Sequence, residues 1–382
     1  MDALLSPGDL AFRDEVRAFL AAALPDDLRR ATRRATSVFI DPAISLAWQR
    51  ILHARGWVAP DWPERFGGTG WSELRRYIFA AECARARAPA LAPMGLKMVA
   101  PVLMHYGSDA QRAHYLPRIL SGEDYWCQGF SEPGAGSDLA ALGLRAADDG
   151  DDYVLNGSKI WTTHAQFANR IFCLVRTGQG GRPQAGISFL LIDMGSPGIR
   201  VDPIVTLAGD HELNQVFFDD VRVPKANRLG AENDGWTVAK HLLTFERGGR
   251  YAPPLIAYLE QLRTVCDPLS VMVRNRLATA AIELDALQAL ELHAMSDGLS
   301  PADHAMLASM LKIMGTEASQ RLDDIALEIG GVDAWAWPSD DTPDTQAVIV
   351  PRYLNNRAAS IYGGSNEIQR DIIARQLLGA IE

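Results

Sequence analysis

Residues 130–138 read FSEPGAGSD. Ser131, Gly134, Gly136 and Ser137 give this stretch small side chains, hydroxyls and room for close backbone approach. Consecutive amides and hydroxyls in such a loop cradle an anion or the edge of a ring. A Pro-Gly turn alone would say little; its place in the chain says more. The apolar period is near 3.6 up to about Gly122, drops to two from about 123 to 228, and returns to 3.6 from about 231. FSEPGAGSD therefore lies where a helical segment passes into a β segment.

Upstream, Phe12, Val16, Phe19 and Ala23 predict one apolar helix face that ends at Pro25. A second helix is predicted over Leu46 to Ala54, with Gly56 as its C-cap. WVAPDWPERFGGTGW (57–71) is a Pro- and Gly-rich loop whose tryptophans demand burial. Downstream, DYVLNGSKIWTT (152–163) predicts two short strands about the turn dipeptide Asn156-Gly157. RIFCLVRT (170–177), GISFLLIDM (186–194) and NQVFFDDVRVP (214–224) predict more strands of antiparallel character, and DDGDD (148–152) a solvated turn. Further on, Leu277, Ala280, Leu284 and Leu287 predict one long helix. Leu307, Leu311, Met314, Ala318 and Leu322 predict another, opened by Ser300-Pro301. Long amphipathic helices in this number predict a bundle.

At 382 residues the chain is long enough for two or three domains. Its net charge of -10 argues against a nucleic-acid partner, although a local basic patch suffices for a phosphorylated small molecule. Cys83, Cys127, Cys173 and Cys266 form no CxxC pair and lie at no ligand spacing from a histidine, so neither a disulfide framework nor a metal site is expected. The N-terminal MDALLSPGDLAFRDE is acidic and interrupted by Pro7, unlike a secretory signal. No run reaches the roughly 20 apolar residues of a membrane span, so the expected location is cytoplasmic. GxGxxG, GxxxxGK[ST], HExxH and GxSxG are all absent, which removes the common nucleotide, zinc-protease and hydrolase sites.

FSEPGAGSD together with NGSKIWTT (156–163) resembles the acyl-CoA dehydrogenase family. APDWPERFGG (59–68), FFDDVRVP (217–224) and the C-terminal GGSNEIQRDIIARQLLG (363–379) extend the likeness over essentially the whole chain. The resemblance implies a multidomain α+β fold: an N-terminal helical domain (1–122), a central antiparallel β domain (123–230) and a C-terminal four-helix bundle (231–382). It implies FAD held without a Rossmann fold, and α,β-dehydrogenation of an acyl-CoA thioester to the trans-2-enoyl-CoA. It assigns flavin contacts to Gln128, Phe130, Ser131, Gly136, Ser137, Trp161, Thr163, Ser365 and Glu367. The resemblance also implies Ser137 near the thioester arm, and Thr244 and Arg247 as substrate contacts. Electron-transfer flavoprotein is the implied acceptor.

The family's usual Tyr-Glu-Gly is here Tyr362-Gly363-Gly364, and glycine cannot take a proton. Some members, isovaleryl-CoA dehydrogenase among them, carry the base in a Glu-Arg pair on a helix of the C-terminal domain. LLTFERGGR (242–250) puts Glu246-Arg247 at that position, so the resemblance implies a relocated base, with the Gly363 N–H still donating to the thioester oxygen. Glu367 is the competing base. Two departures stand out. The Arg-x-x-Phe-Gly motif that reaches a neighbouring subunit's FAD is missing from 250–273, and its Gln-x-x-Gly-Gly companion is reduced to LEIGGVDAW (327–335). A homo-oligomer (dimer or tetramer) with altered FAD contacts, or one subunit of an α2β2 assembly as in actinobacterial steroid side-chain enzymes, would follow. The alternatives are a non-catalytic subunit and another flavin oxidation on the same fold. A base on the bundle helix goes with branched or bulky acyl groups.

Overall fold

The computed structural model describes residues 5–37, 39–247, 250–264, 270–296, 298–337, 342 and 348–379, and of Glu246 and Arg247 only the backbone. The chain resolves into two compact units, one of Met1–Leu52, Pro60–Leu91 and Arg247–Glu382, the other of His53–Ala59 and Ala92–Glu246.

The N-terminal part holds helices α1 (Pro7–Ala23), α2 (Asp26–Arg33), α3 (Pro42–Arg55), α4 (Glu73–Arg85), α5 (Ala100–Tyr106) and α6 (Asp109–Ser121). Ser6 caps α1 and Pro7 is its first residue, so the proline opens this helix. The buried face of α1 is Phe12, Val16 and Leu20. Phe19 lies on its shoulder against Trp48, so the predicted step of three gives way to two steps of four.

The β segment is one sheet of eight strands. They are β1 (Trp126–Gly129), β2 (Arg145–Asp149), β3 (Asp152–Lys159), β4 (Arg170–Arg176), β5 (Ile187–Asp193), β6 (Ile199–Ile204), β7 (Leu213–Pro224) and β8 (Arg228–Leu229). The order is β6-β7-β3-β2-β4-β5-β8, with β1 on β4. Most pairs are antiparallel; β1–β4 and β2–β4 are parallel. The hairpin expected at Asn156-Gly157 is not there. β3 runs straight through and pairs with β7, with a bulge between Leu155 and Gly157. The Asn156 amide is taken by Asp220, donating to its Oδ1 at 2.9 Å and accepting from its N–H at 3.0 Å. The turn lies earlier: β2 and β3 close on Asp149 opposite Asp152, with Gly150 at φ 69 supplying the left-handed residue a two-residue hairpin needs. β6 was not foreseen, and its Pro203 is tolerated because β6 is an edge strand.

The remaining helices are α7 (Gly235–Arg247), α8 (Ala252–Thr264), α9 (Val271–Ala294), α10 (Pro301–Gly330), α11 (Ile349–Asn356) and α12 (Asn366–Leu378). The predicted stripes are the ones buried: Leu277, Ala280, Leu284 and Leu287 of α9 pack with Leu311, Ala318 and Leu322 of α10 and with Leu255 and Leu259 of α8. Ser300 starts α10 in a full capping box with Asp303.

Candidate active site

In the β-containing unit, β1 delivers the chain to Phe130, whose buried ring meets Phe172 and Phe189 edge-on at 5.7 and 6.1 Å. Gln128 and Ser131 are half-buried. Residues 132–135 form a tight turn in which Glu132 and Ala135 exchange both backbone hydrogen bonds at 3.0 Å. Beyond it Ser137 is exposed, and a Cβ added at Gly134 or Gly136 would meet nothing within 4 Å. The loop thus leaves open space over small residues.

Trp161 follows β3 and faces solvent with 56% of its surface exposed. Its backbone is left-handed at φ 58, and so is that of His164, also at φ 58. For a side-chain-bearing residue that conformation costs about 1–2 kcal/mol, so something must hold it. Between the two, Thr162 is fully buried. Its N–H donates to the Asn214 carbonyl at 2.9 Å, and its own carbonyl accepts from Asn214 Nδ2 at 3.0 Å. His164 N–H donates to the Glu212 carbonyl at 2.9 Å, and its Nδ1 is 2.7 Å from the Tyr125 hydroxyl. An exposed indole is thereby fixed on a rigid backbone, with half-buried Thr163 beside it. Thr162 Oγ1 is buried with no partner among the described residues. A rigid aromatic face, an open small-residue loop and an unmatched hydroxyl suit a planar ring with a polar edge, which is the form of an isoalloxazine.

Helix α7 belongs to the same unit through Glu246. Thr244 is exposed and its hydroxyl donates to the His241 carbonyl at 2.7 Å. The side chains of Glu246 and Arg247, the two residues that end α7, lie outside the described residues.

In the other unit, the turn before α12 is built on two left-handed glycines, Gly363 at φ 65 and Gly364 at φ 81. Gln369 Nε2 donates to both their carbonyls, at 3.3 and 3.4 Å. A Cβ on Gly364 would lie 2.5 Å from that nitrogen. Ser365 caps α12, accepting from Ile368 N–H at 3.3 Å. Glu367 stands exposed in the first turn, its carboxyl held below the ordinary range by its own backbone N–H, then by the Ser365 hydroxyl and more weakly by Arg370 and Lys312. Next to it Lys312 is buried and donates to Asn366 Oδ1 at 2.8 Å. Burial pushes its ammonium down to about 8, Glu367 opposing. LEIGGVDAW ends in exposed Val332 and Trp335, while Glu328 pairs with Arg276.

The β-containing unit gathers Gln128, Phe130, Ser131, Gly136, Ser137, Trp161, Thr163 and Thr244; the other unit gathers Gly363, Ser365 and Glu367. Asn214 and His164, which hold the Trp161 backbone, escaped the sequence reading because a lone asparagine at a strand start carries no motif. Among the described residues no group of three or more His, Cys, Asp or Glu can hold a metal, and no helix is long and apolar enough to cross a membrane.

Comparison with known proteins decides the lineage. The N-terminal, middle and C-terminal domains of acyl-CoA dehydrogenase match residues 6–123, 127–221 and 233–378. The chain belongs to the acyl-CoA dehydrogenase family. As a family member it is an FAD-dependent oxidoreductase acting on acyl-CoA, on a fold of N-terminal helices, a β domain and C-terminal helices. The acyl-CoA dehydrogenase IpdE1 of Mycobacterium tuberculosis is 39% identical over 345 residues, covering 87% of each chain. The acyl-CoA dehydrogenase FadE26 of the same organism is 32% identical, covering 98% of this chain and 97% of its own. Among solved structures, the steroid acyl-CoA dehydrogenase Tcur3481-Tcur3483 superimposes with a TM-score of 0.87 at 30% identity over 100% of this chain and 99% of that one. The ChsE4-ChsE5 complex of Mycobacterium tuberculosis gives 0.83 at 31% identity over 99% of each.

Proposed function

We propose that this acyl-CoA dehydrogenase uses Glu246 as the base that removes the substrate α-proton, yielding a trans-2-enoyl-CoA. The observation that carries this reading is the turn at Gly363-Gly364: both residues adopt left-handed backbone and neither bears a carboxylate, while the chain keeps Glu246-Arg247 at the end of α7. FAD, when bound, would supply the acceptor for the β-hydrogen, which leaves as hydride. The chain's own groups do the rest. The Glu246 carboxylate takes the proton as the Cα–Cβ double bond forms. The Gly363 N–H donates to the thioester oxygen, where negative charge develops. Trp161, Phe130 and the loop from Ser131 to Ser137 hold the ring, with Gln128, Gly136, Thr163 and Ser365 at its polar edge. Thr244 and Arg247 orient substrate. Glu367 is a poorer base, since its carboxyl is acidified and tied to the α12 N-terminus, and it contacts flavin instead. The domain limits at 122 and 230 are part of the same proposal, as is electron-transfer flavoprotein as acceptor.

The test is anaerobic. The yellow protein receives a panel of acyl-CoAs, and one of them bleaches the flavin. Glu246→Gln binds flavin and stays oxidised, while Glu367→Gln bleaches. Normal bleaching by Glu246→Gln would remove it as the base.

A second observation bears on assembly and substrate. The missing Arg-x-x-Phe-Gly motif and the exposed Val332, Trp335 and Trp337 beside the altered Gly-Gly segment favour a partner chain that completes the FAD site. Two of the structural relatives carry two chain names, and one is a steroid enzyme. An α2β2 assembly acting on a bulky, steroid-like acyl-CoA fits this better than a homo-oligomer. A homogeneous, flavin-saturated homo-oligomer from the isolated chain would count against it.

A further inference from the structure

The proposed chemistry leaves one buried ion pair unused. Lys159 is the last residue of β3 and its side chain is fully buried. Its Nζ donates to Glu132 Oε1 at 2.7 Å and to the Phe130 carbonyl at 3.1 Å. The Glu132 side chain is 11% exposed and its carboxylate accepts twice more, from Gly143 N–H at 2.6 Å on Oε2 and from Leu144 N–H at 2.9 Å on Oε1. One carboxylate thus joins three pieces of chain: the loop that begins at Ser131, the entry to β2, and the end of β3. The following residue closes the junction, Ile160 N–H donating to the Ser131 carbonyl at 2.9 Å. Glutamine could not replace Glu132 in kind, because three donors converge on its two oxygens and an amide would turn an N–H₂ toward one of them. Burial lowers the Lys159 pKa and the Glu132 charge opposes this.

We propose that Glu132 and Lys159 are a positioning pair that locks the 131–137 loop to the 160–164 segment, so that the two flavin-facing motifs keep one spacing. This rests on the flavin reading given above.

Buried ion pairs suggest the test. Removing one partner leaves an uncompensated buried charge, whereas replacing both by apolar groups of similar size is often neutral for stability. Position and stability therefore separate in the double variant. Glu132→Gln and Lys159→Met are each expected to lower Tm. The double variant Glu132→Leu/Lys159→Met is expected to regain part of that Tm, short of wild type because the Gly143 and Leu144 N–H groups have lost their acceptor, while its apoprotein binds FAD roughly ten-fold or more weakly. Hydrogen–deuterium exchange of the apoproteins over 130–137 and 159–164 runs alongside, with faster exchange expected in the double variant. A double variant with wild-type FAD affinity and exchange would overturn the proposal. A wild-type protein that takes up no FAD even with its partner chain present, with exchange still faster in the double variant, would remove the flavin reading and leave the lock standing.

Discussion

Asn214 offers the sharpest test of how the Trp161 face is held. Its side chain is fully buried and makes three hydrogen bonds: Nδ2 to the Thr162 carbonyl at 3.0 Å, Nδ2 to Gln166 Oε1 at 2.6 Å, and Oδ1 with His211 Nε2 at 2.7 Å. Replacing it with alanine removes all three and leaves the buried Thr162 carbonyl without this donor. The bonds to Gln166 and His211 contribute about 1 kcal/mol net each, and the orphaned Thr162 carbonyl costs about 1–3 kcal/mol, so Asn214→Ala is expected to destabilise by about 3–5 kcal/mol. The backbone bond from Thr162 N–H to the Asn214 carbonyl survives, so the strand register is kept. What is lost is the side-chain grip on the Thr162 carbonyl, so Trp161 relaxes from φ 58 toward negative values and takes the indole out of position, while His164 keeps its bonds to Glu212 and Tyr125. Urea unfolding with an unchanged m-value reads the stability loss. FAD titration of the apoprotein reads the geometry, with an affinity at least ten-fold weaker expected. A variant that unfolds within about 1 kcal/mol of wild type and binds flavin normally would refute the assignment.

Lys312 gives a pH signature. Its folded pKa is pushed down to about 8 from 10.5, so between these values the unfolded chain holds a proton that the folded chain has released. The burial penalty is full below pH 8 and lifts as pH rises toward 10.5. Lys312→Met is therefore expected to raise Tm most at neutral pH, with the gain shrinking above pH 8; a gain independent of pH would mean the ammonium keeps its water. Gly315 is shielded by packing. A Cβ there would lie 2.4 Å from Tyr251 Cγ, and Glu291 Oε1 accepts from the Ala252 N–H at 3.0 Å beside it, which limits retreat. Gly315→Ala is expected to cost about 1–3 kcal/mol in chemical denaturation, and a neutral result would show that Tyr251 swings away freely.

Much of the architecture was legible because it is local or periodic. The α9 and α10 stripes repeat every turn and one helix face must be buried whatever its neighbour, so Leu284 and Leu322 announce themselves. Ser300-Pro301 writes its own cap within four residues. The loop from Phe130 to Asp138 and the empty carboxylate position at Gly363 are contiguous strings, readable without coordinates. Asn156-Gly157 misled for the opposite reason. The dipeptide's turn preference is a short-range term, and pairing with β7 together with the Asp220 side chain outweighs it from more than sixty residues away. Only the tertiary structure could show that Asn214 grips Thr162, that Lys159 is a buried ammonium facing Glu132, or that Trp161 is an exposed platform in left-handed backbone. The sequence by itself determined the helical–β–helical order and the candidate site strings, because periodicity and turn chemistry act over a few residues. Which residues hold those strings in place was decided by the folded chain, because buried polar groups must find partners wherever in the sequence those partners lie.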